Sequence, residues 1–446
     1  MNEKKHLLAR WGTALLSQPG LADLLAMSSS LNGFKRENAV RRLGMLGNPA
    51  SIPYLIERAN DWVPQVRAAA YDALIRMLKT GNGASFVACL PELLHLQSCQ
   101  RGDHRGLLAA VQDFLLREEN REALMGGMEN PDARVARLVT QLYVSRGLAA
   151  PGAIVTRGLA HADPIVRVTV VDLLRELGPD EFDAAIVQSL ADPYMPVRRE
   201  AFQQLLRRDR AKGLNAAREF LFDTSASIRE IAVHQLVTAG EPVENLYASG
   251  LTGDRARVAV VKCVLWGWAL LNCQTRTMEV IQLLNARYPG IRRAAVQSIA
   301  KLLGMDARPY LVTALSDISP AVCNEAARLV CQTGVVLDMG TLIEIASSST
   351  ANHVAYACCR VIRNGSKWDW LQYTLDVYGS AASKIDRDVF AREIDCWEVR
   401  FNRRSGQPSR RQVDSIVLLL RSSEAKLSAP QVRLLKFTLR SYGASL

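Results

Sequence analysis

Apolar positions along this chain follow a helical rhythm that is interrupted at short intervals. Between Glu181 and Ala191, apolar and small side chains recur at steps of three and four residues, the spacing of one face of an α-helix. Asp192 and Pro193 then interrupt the pattern, because proline disfavours helix at the preceding residue and suits the first turn of a new helix. A second helical pattern contains Val197. The segment therefore predicts two antiparallel helices joined by a tight turn.

The same plan fits other parts of the chain. It fits residues 52–78 and residues 308–330, where two apolar helical patterns are again separated by a turn that contains aspartate. No stretch keeps the period-two alternation of a half-buried β-strand. The chain is therefore predicted to be all-α. The first helix of each pair is called helix A here, and the second is called helix B.

The helix pairs recur at a nearly fixed interval. In the clearest copies the turn carries aspartate, and helix B begins with a branched apolar residue followed by arginine. From Val135 onward the branched residue recurs at nearly equal steps of about 31 residues, a period that indicates supersecondary units which stack and share one elongated core. The nine branched anchors are Val66, Val135, Val166, Val197, Ile228, Val258, Ile291, Val322 and Val354.

This pattern resembles the HEAT-like repeat family, in the short prokaryotic form also found in phycobilisome-lyase-like proteins. The resemblance rests on the turn aspartate, the branched residue and the arginine, and it covers residues 34–362. It implies a right-handed α-α superhelix, a solenoid of the armadillo type. Four units lack the arginine, which is replaced at Ala136, Ala259, Cys323 and Ala355. Near Gln100–His104 the whole motif is lost, which predicts a local insertion or bend.

The two ends of the chain differ from its middle. Residues 1–45 predict N-terminal capping helices, residues 46–365 predict nine to ten repeat units, and residues 366–446 predict a basic C-terminal helical cap. Within the last segment the apolar spacing predicts longer helices over 386–401, 409–421 and 429–442. Terminal units of a stacked-repeat protein lack a neighbour on one side, so atypical ends are expected.

The net charge of +11 is unevenly distributed. Residues 1–46 carry +4 and residues 384–446 carry +6, which leaves +1 for residues 47–383. A nucleic-acid clamp would more often spread cations along its whole inner surface, so nearly neutral repeats weigh against that class. Segment totals alone do not separate this case from a basic inner face balanced by an acidic outer one.

The sequence names no reaction. It contains no His-Glu dipeptide, no phosphate-cradling glycine loop and no spacing typical of a catalytic triad, so no catalytic residue, metal site or cofactor is predicted. The nine cysteines form no Cys-x-x-Cys pair and are predicted to be buried free thiols in a reducing compartment. The first residues do not resemble a signal peptide, and no apolar run is long enough for membrane insertion. A cytoplasmic protein is expected.

The family resemblance implies a structural role for the recurring arginine. In the family it pairs with the turn aspartate of a neighbouring unit, which forms an internal ladder of charge-assisted hydrogen bonds. A phosphate-binding role is the alternative interpretation. The predicted ladder residues are Asp61, Arg67, Asp163, Arg167, Asp192, Arg198, Asp223, Arg229 and Arg292.

Candidate partner-binding residues lie outside that ladder. In the family helix B lines the concave face, and its surplus cations here are Arg175, Arg199, Arg207, Arg208, Arg293, Lys301 and Arg328. The densest basic segment is a loop rich in glycine and proline that contains Arg403, Arg404, Arg410 and Arg411. Trp266 follows the anchor Val258 by eight residues and is expected in the core, so Trp268 is the tryptophan predicted to face a partner. Each of these residues also has a solvated or packing role as its alternative.

Three functions stay open at this point. The first is a non-enzymatic scaffold or adaptor that binds a protein or peptide along its concave helix-B face, since stacked helices offer a large preformed surface. The alternative is a nucleic-acid-binding HEAT-repeat protein, including one of the DNA-repair glycosylase type. A lyase-like subunit is the third and rests on fold analogy alone. The oligomeric state is not predicted.

Overall fold

The computed structural model describes residues 19–252, 257–380 and 383–445. These residues fold into helices joined by short turns, and they contain no β-strand. The predicted all-α class is confirmed. The chain divides into two compact units, Met1–Gly213 and Leu214–Leu446, and the division falls within one helix, Arg210–Phe220. The boundaries expected near residues 45 and 365, and the capping roles of the two ends, stay predictions.

The first unit consists of helices that pack in pairs, and the helices B α2, α4 and α7 pack in succession, as do α9, α11 and α13. In chain order its helices are α1 Leu21–Ser28, α2 Gly33–Leu46, α3 Ile52–Ala59, α4 Pro64–Arg76, α5 Gly83–Ala88, α6 Leu90–His95, α7 Arg105–Leu115, α8 Arg121–Gly126, α9 Ala133–Arg146, α10 Pro151–Leu159, α11 Pro164–Val171, α12 Pro179–Leu190 and α13 Met195–Arg208. The helix at the division, Arg210–Phe220, is α14.

The second unit continues the same alternation. Its helices B include α15, α17, α19, α21 and α23, and from α17 onward successive ones pack against each other. In chain order its helices are α15 Ala226–Thr238, α16 Val243–Ala248, α17 Val258–Leu270, α18 Thr277–Leu283, α19 Pro289–Leu303, α20 Arg308–Leu315, α21 Pro320–Thr333, α22 Met339–Ser348, α23 Asn352–Arg363, α24 Lys367–Tyr373, α25 Arg387–Arg400, α26 Arg410–Ser423 and α27 Ala429–Ser441.

The turn chemistry explains where helix B begins. Asp163 lies just before α11, and its carboxylate accepts hydrogen bonds from the backbone N–H groups of Ile165, at 2.9 Å, and Val166, at 3.2 Å. Pro164 occupies the first helical position, where a missing N–H costs nothing. Val166 is then fully buried against the neighbouring helices. The aspartate, proline and branched residue therefore fix the entry and the core side of the helix together.

The unit that lacks the sequence motif is nevertheless helical. Its first helix is broken into the short helices α5 and α6, and its helix B is α7, in which Leu107 is fully buried. Counting back from Leu107 by the same step that leads from Val66 to Asp61 places Gly102 at the position of the turn aspartate. The motif has therefore lost both the turn aspartate and the arginine, whose position after Leu107 is taken by Leu108, while the predicted bend stays a prediction.

The three longer helices expected near the C-terminus are present as α25, α26 and α27. They pack around a core of large aromatic side chains, in which Trp368 contacts Trp397 edge to face at 6.1 Å between ring centroids. Two buried indole N–H groups find acceptors here: Trp397 donates to the Lys367 carbonyl at 2.7 Å, and Trp370 donates to the Glu393 carboxylate at 2.6 Å. Large aromatic side chains therefore dominate the core at this end of the chain.

Candidate ligand-binding face

Three arginines of the repeats bind the turn aspartate of the following unit through both Nε and Nη2. Arg36 binds Asp61 with both distances at 2.8 Å, and Arg167 binds Asp192 at 2.6 and 3.0 Å. Arg292 binds Asp317 at 2.7 Å through both nitrogens. The arginine precedes its aspartate by the same sequence separation in all three pairs. We call such a pair a closed rung, and its buried fork-to-fork geometry gives it a structural role.

Other predicted ladder residues make further contacts. The Nη1 groups of Arg67, Arg198 and Arg229 donate to the backbone carbonyls of their own turns, at 2.7 to 2.8 Å for the shortest bond of each. The carboxylate of Asp163 receives Arg137, at 3.0 and 2.6 Å, which the sequence reasoning missed. That hydrogen bond lowers the pKa of Asp163 to about 2.

Arg36 was also missed by sequence reasoning, although a signal was available. It precedes Asp61 by the same sequence separation that joins Arg167 to Asp192. Burial by itself raises the pKa of Asp61, but the hydrogen bonds from Arg36 and from the Val63 N–H hold that pKa below its ordinary value. A search of the sequence for arginine and aspartate at this separation finds the rung.

The structure reverses the expectation for the two tryptophans of α17. Trp268 is 1% exposed and donates its indole N–H to the Glu244 carbonyl at 3.2 Å, so it cannot face a partner. Trp266 is half-buried and lines a cavity. Trp268 is therefore the core tryptophan, and Trp266 is the one accessible to a ligand.

The prediction was wrong because it counted helical positions in α17 from the wrong anchor residue. Between α13 and α11, the side chain of Gln204 donates to the carbonyl of Val171. Gln204 lies seven positions after its anchor Val197, and Val171 lies five positions after its anchor Val166. Ser298, seven positions after its anchor Ile291, donates in the same way to the carbonyl of Leu265. Leu265 should therefore lie five positions after its own anchor, which makes Val260, and not Val258, the anchor of α17. Counted from Val260, position eight is Trp268, and this position is buried in other units as well.

The same register defines an exposed surface on four successive helices B of the second unit. Positions two, six and ten after each anchor face away from the core, and we call this surface the helix-B face. Its residues include Lys262, Trp266, Arg293, Gln297, Lys301, Arg328, Tyr356 and Arg360.

Charge is distributed asymmetrically in this part of the chain. Helices α17, α19, α21 and α23 together carry seven Lys and Arg residues but a single carboxylate, Glu325. The intervening helices α18, α20, α22 and α24 carry two cations and three carboxylates. The near-neutral total of the repeats therefore conceals a basic helix-B surface.

Two of the predicted binding cations are partly neutralised. Arg293 and Arg328 both bind the Glu325 carboxylate, which is 4% exposed and also accepts from Gln297 at 2.8 Å. Burial raises the pKa of Glu325, but these donors bring it below its ordinary value, so the group stays ionised. No described carboxylate lies within ion-pair distance of Lys262, Lys301 or Arg360, which are all exposed.

A cavity of about 460 Å³ opens on the helix-B face. Its wall includes the guanidinium of Arg229, the Trp266 ring, and the side chains of Lys262 and Lys301, with small residues such as Ala269 leaving the space. The Arg229 guanidinium stacks on Trp266 at 4.3 Å from the ring centroid. None of the described residues that line the cavity is acidic. The cavity therefore combines positive charge with an aromatic surface.

The predicted cations of the first unit occupy varied surroundings. Arg208 lies over the Phe182 ring at 4.3 Å and donates to the Leu177 carbonyl at 2.8 Å, so its role is packing. Arg175 is exposed and lies 4.0 Å from Glu176. Arg199 and Arg207 are exposed on α13. These four residues do not line any of the cavities described here.

The basic loop near the C-terminus is tied to the rest of the second unit. Arg404 donates to the Gly365 carbonyl at 3.0 Å, and Arg410 donates to the Gly443 carbonyl at 2.6 Å. Trp368 donates its indole N–H to the Gly406 carbonyl at 3.1 Å. The loop is therefore anchored, and Arg403 and Arg411 are its remaining candidate contacts.

Other chemistry finds little support among the described residues. They contain no cluster of His, Cys, Asp and Glu side chains that could hold a metal ion. Six of the nine cysteines are buried, and burial raises the pKa of Cys358 and Cys359 to about 12, so these two thiols stay protonated. None of the described helices combines the length and the apolar composition that crossing a bilayer requires.

One family model matches a short segment of this chain. Residues 35–61 match the model of the PBS lyase HEAT-like repeat, which confirms the predicted HEAT-like repeat and includes the Arg36–Asp61 rung. No curated protein matches the chain. The solved structures that are similar include Kap95p with RanGDP, at 14% identity and TM-score 0.38, covering 94% of this chain and 66% of that one.

Two further solved structures are similar at the same level. Kap121p shares 13% identity at TM-score 0.34, covering 96% of this chain and 55% of its own. Importin beta shares 12% identity at TM-score 0.31, covering 90% of this chain and 61% of its own. This chain therefore spans two thirds or less of the length of these proteins.

Proposed function

We propose that this chain is a non-enzymatic helical-repeat scaffold that binds an acidic segment of a protein partner along the helix-B face of its second unit. The observation that carries the proposal is that three of the seven cations on α17, α19, α21 and α23 are unpaired among the described residues, while Arg292, Arg293, Arg328 and Arg363 bind carboxylates. Lys262, Lys301 and Arg360 have no carboxylate partner among the described residues, so their charges are available to a ligand.

The shape of the face supports a polypeptide ligand. A discrete cavity with an aromatic wall and small apolar residues suits an inserted side chain, whereas a nucleic-acid backbone needs only a charged track. The face is also formed by packed helices, so binding requires little ordering of the protein. An extended acidic segment could therefore place one side chain in the cavity and its neighbouring carboxylates on the flanking cations.

Nucleic acid is the second candidate, and Trp266 is the observation that favours it. A half-buried indole beside Lys262 and Lys301 could stack on an unpaired base while the cations bind phosphates. A glycosylase reaction receives no support from this cavity, because no carboxylate of the described residues lines it to act as a catalytic acid or base.

The test compares two labelled polyanions by fluorescence anisotropy with the full chain at low salt. The probes are a decaglutamate peptide and a single-stranded oligothymidylate of twenty nucleotides. The variant K262E/K301E/R360E should weaken decaglutamate binding by about 100-fold, since three attractive contacts become repulsive, and added salt should weaken binding of the wild type.

The matched control reverses three exposed arginines of the first unit, R175E/R199E/R207E, and should bind decaglutamate within about threefold of the wild type. Equal loss in both variants would place the binding surface elsewhere. If the wild type instead binds oligothymidylate more tightly than decaglutamate, and only K262E/K301E/R360E loses that affinity, the result would indicate a nucleic-acid ligand in place of the protein partner. Failure of the wild type to bind decaglutamate at 100 µM, on the order of the weakest useful affinity, would overturn the proposal.

A further inference from the structure

Arg229 occupies the ladder position of α15 but does not form a closed rung with any described residue. Its Nη1 donates to the carbonyls of Asp223 at 2.8 Å and Thr224 at 3.2 Å. The side chain is about nine-tenths buried, and its Nε has no hydrogen-bond acceptor. No described carboxylate binds its remaining nitrogens. A buried donor without an acceptor is costly, so this guanidinium favours a ligand that supplies one.

The closed rungs show what that ligand must be. Arg167 and Arg292 also use Nη1 for the carbonyls of their own turns, and they use Nε and Nη2 for an aspartate carboxylate at 2.6 to 3.0 Å. Because Arg229 makes the same Nη1 contacts, its fork of Nε and Nη2 is held in the same way. The fork therefore matches a carboxylate in bidentate geometry.

The surroundings of the fork also favour an anion. Arg229 lies at the wall of the 460 Å³ cavity, beside Trp266 and with Lys262 and Lys301 on the same wall. The stacked indole holds the guanidinium plane from one side. The space left by Ala259 and Ala269 is large enough for a carboxylate together with an apolar neighbouring group.

Arg67 provides an internal contrast, because it also lacks a closed rung among the described residues. Gly102 takes the place of the next turn aspartate, and an ideal Cβ there would lie 3.6 Å from the Arg67 Nε. The adjoining cavity, about 350 Å³, is lined by Asp72 and Asp103. Asp103 is bound by Arg105 at 2.9 and 2.7 Å, so Asp72 is the carboxylate that would repel an anionic ligand at Arg67. By contrast, no described residue that lines the Arg229 cavity is acidic.

We infer that the Arg229 fork is a binding site for a carboxylate of the partner, either an Asp or Glu side chain or a chain-terminal carboxylate. The ligand carboxylate takes the position that Asp192 takes at Arg167 and completes the rung in trans. This inference rests on the proposed function, because it assigns the anchoring contact of the acidic segment on the helix-B face.

The test measures anisotropy of labelled decaglutamate in two forms, with a free C-terminal carboxylate and with a C-terminal amide. R229M keeps most of the apolar stem and removes the fork, and it should weaken binding by at least tenfold. R229K keeps the charge without the fork and should recover only part of that loss. Equal affinities of the two peptides would assign a side-chain carboxylate, and tighter binding of the free acid would assign the terminal one.

R67M is the matched control and should bind within twofold of the wild type. Circular dichroism of each variant establishes that the helices are retained. Wild-type affinity in R229M, or an equal loss in R67M, would overturn the inference. If R229M binds normally while K262E/K301E/R360E does not, the basic face binds acidic peptides without this anchor, so the two proposals fail separately.

Asp254 requires a separate experiment, because it follows Arg229 at the sequence separation of the closed rungs and lies outside the described residues. If the fork is open to a ligand, D254N should bind decaglutamate at least as tightly as the wild type. The changes that D254N and R229M cause in the thermal midpoint of unfolding should then add in the double variant. If D254N and R229M lower the midpoint equally and the double variant lowers it no further, the rung is closed within the chain and the inference is wrong.

Discussion

Arg167 in the first unit and Arg229 in the second unit stand at the same position of the repeat, yet only one has its carboxylate partner among the described residues. Both donate Nη1 to the carbonyls of their own turns. Arg167 then closes a rung with Asp192, whereas Arg229 stacks on Trp266 at the edge of a cavity. The comparison teaches that a residue of the repeat consensus stabilises the fold where the next turn supplies a carboxylate. Where the described residues supply no carboxylate, as at Arg229, we propose that the same residue receives the carboxylate of a ligand.

Trp266 and Trp268 repeat this contrast within a single helix, and their replacement gives the largest expected effect. W268A should lower the free energy of unfolding by about 4 kcal/mol, because it removes a side chain that is 1% exposed. W266A should cost about 1 kcal/mol or less, since that ring is only half-buried. Urea unfolding followed by circular dichroism measures both. Similar losses in the two variants would contradict the assignment of core and cavity sides.

The closed rung itself should be the next largest contribution. D192N should destabilise the protein by about 3 kcal/mol, because it leaves the buried charge of Arg167 uncompensated while preserving the acceptor for the Tyr194 N–H. R229M should cost about 1 to 2 kcal/mol, since it removes the hydrogen bonds to the Asp223 and Thr224 carbonyls but breaks no ion pair with a described residue. Urea midpoints compare the two. A larger loss for R229M would mean that Arg229 is a structural residue like Arg167.

The pH dependence of the Asp163–Arg137 pair should give the smallest effect. The Arg137 guanidinium lowers the pKa of Asp163 to about 2, so its contribution to stability is fully present above its ordinary pKa of 3.8 and is lost as the pH falls towards 2. Arg137 is partly exposed, and the contribution should not exceed about 1 kcal/mol. The difference in unfolding free energy between the wild type and D163N should shrink between pH 6 and pH 2.5. A constant difference would contradict this ion pair.

Much of the architecture follows from local sequence signals. Helical spacing, the aspartate and proline of the turns, and the period of about 31 residues predict paired helices. The three C-terminal helices follow from apolar spacing in the same way. The error at Val258 shows the limit of that reasoning, because a small shift along one helix exchanged the roles of Trp266 and Trp268. A contact between neighbouring helices, Ser298 to Leu265, was needed to set the register.

The binding face was less accessible to sequence reasoning. The net charge of +1 for residues 47–383 sums the charges of the basic helices B and the more acidic helices A. Only the fold shows that these charges lie on different helices. Lys301 was predicted, but Lys262 and Arg360 were not, because they gain significance only when several helices align. The arginines of the C-terminal loop show the converse, since Arg404 was predicted to contact a partner and instead donates to the distant Gly365 carbonyl.

Hydrogen–deuterium exchange of the full chain, with and without decaglutamate, tests the central claim most directly. Binding of an acidic segment to the helix-B face predicts slower exchange in peptides from α17, α19, α21 and α23, and unchanged exchange in α18, α20 and α22. Slower exchange confined to residues 401–411, or to the helices B of the first unit, would contradict it.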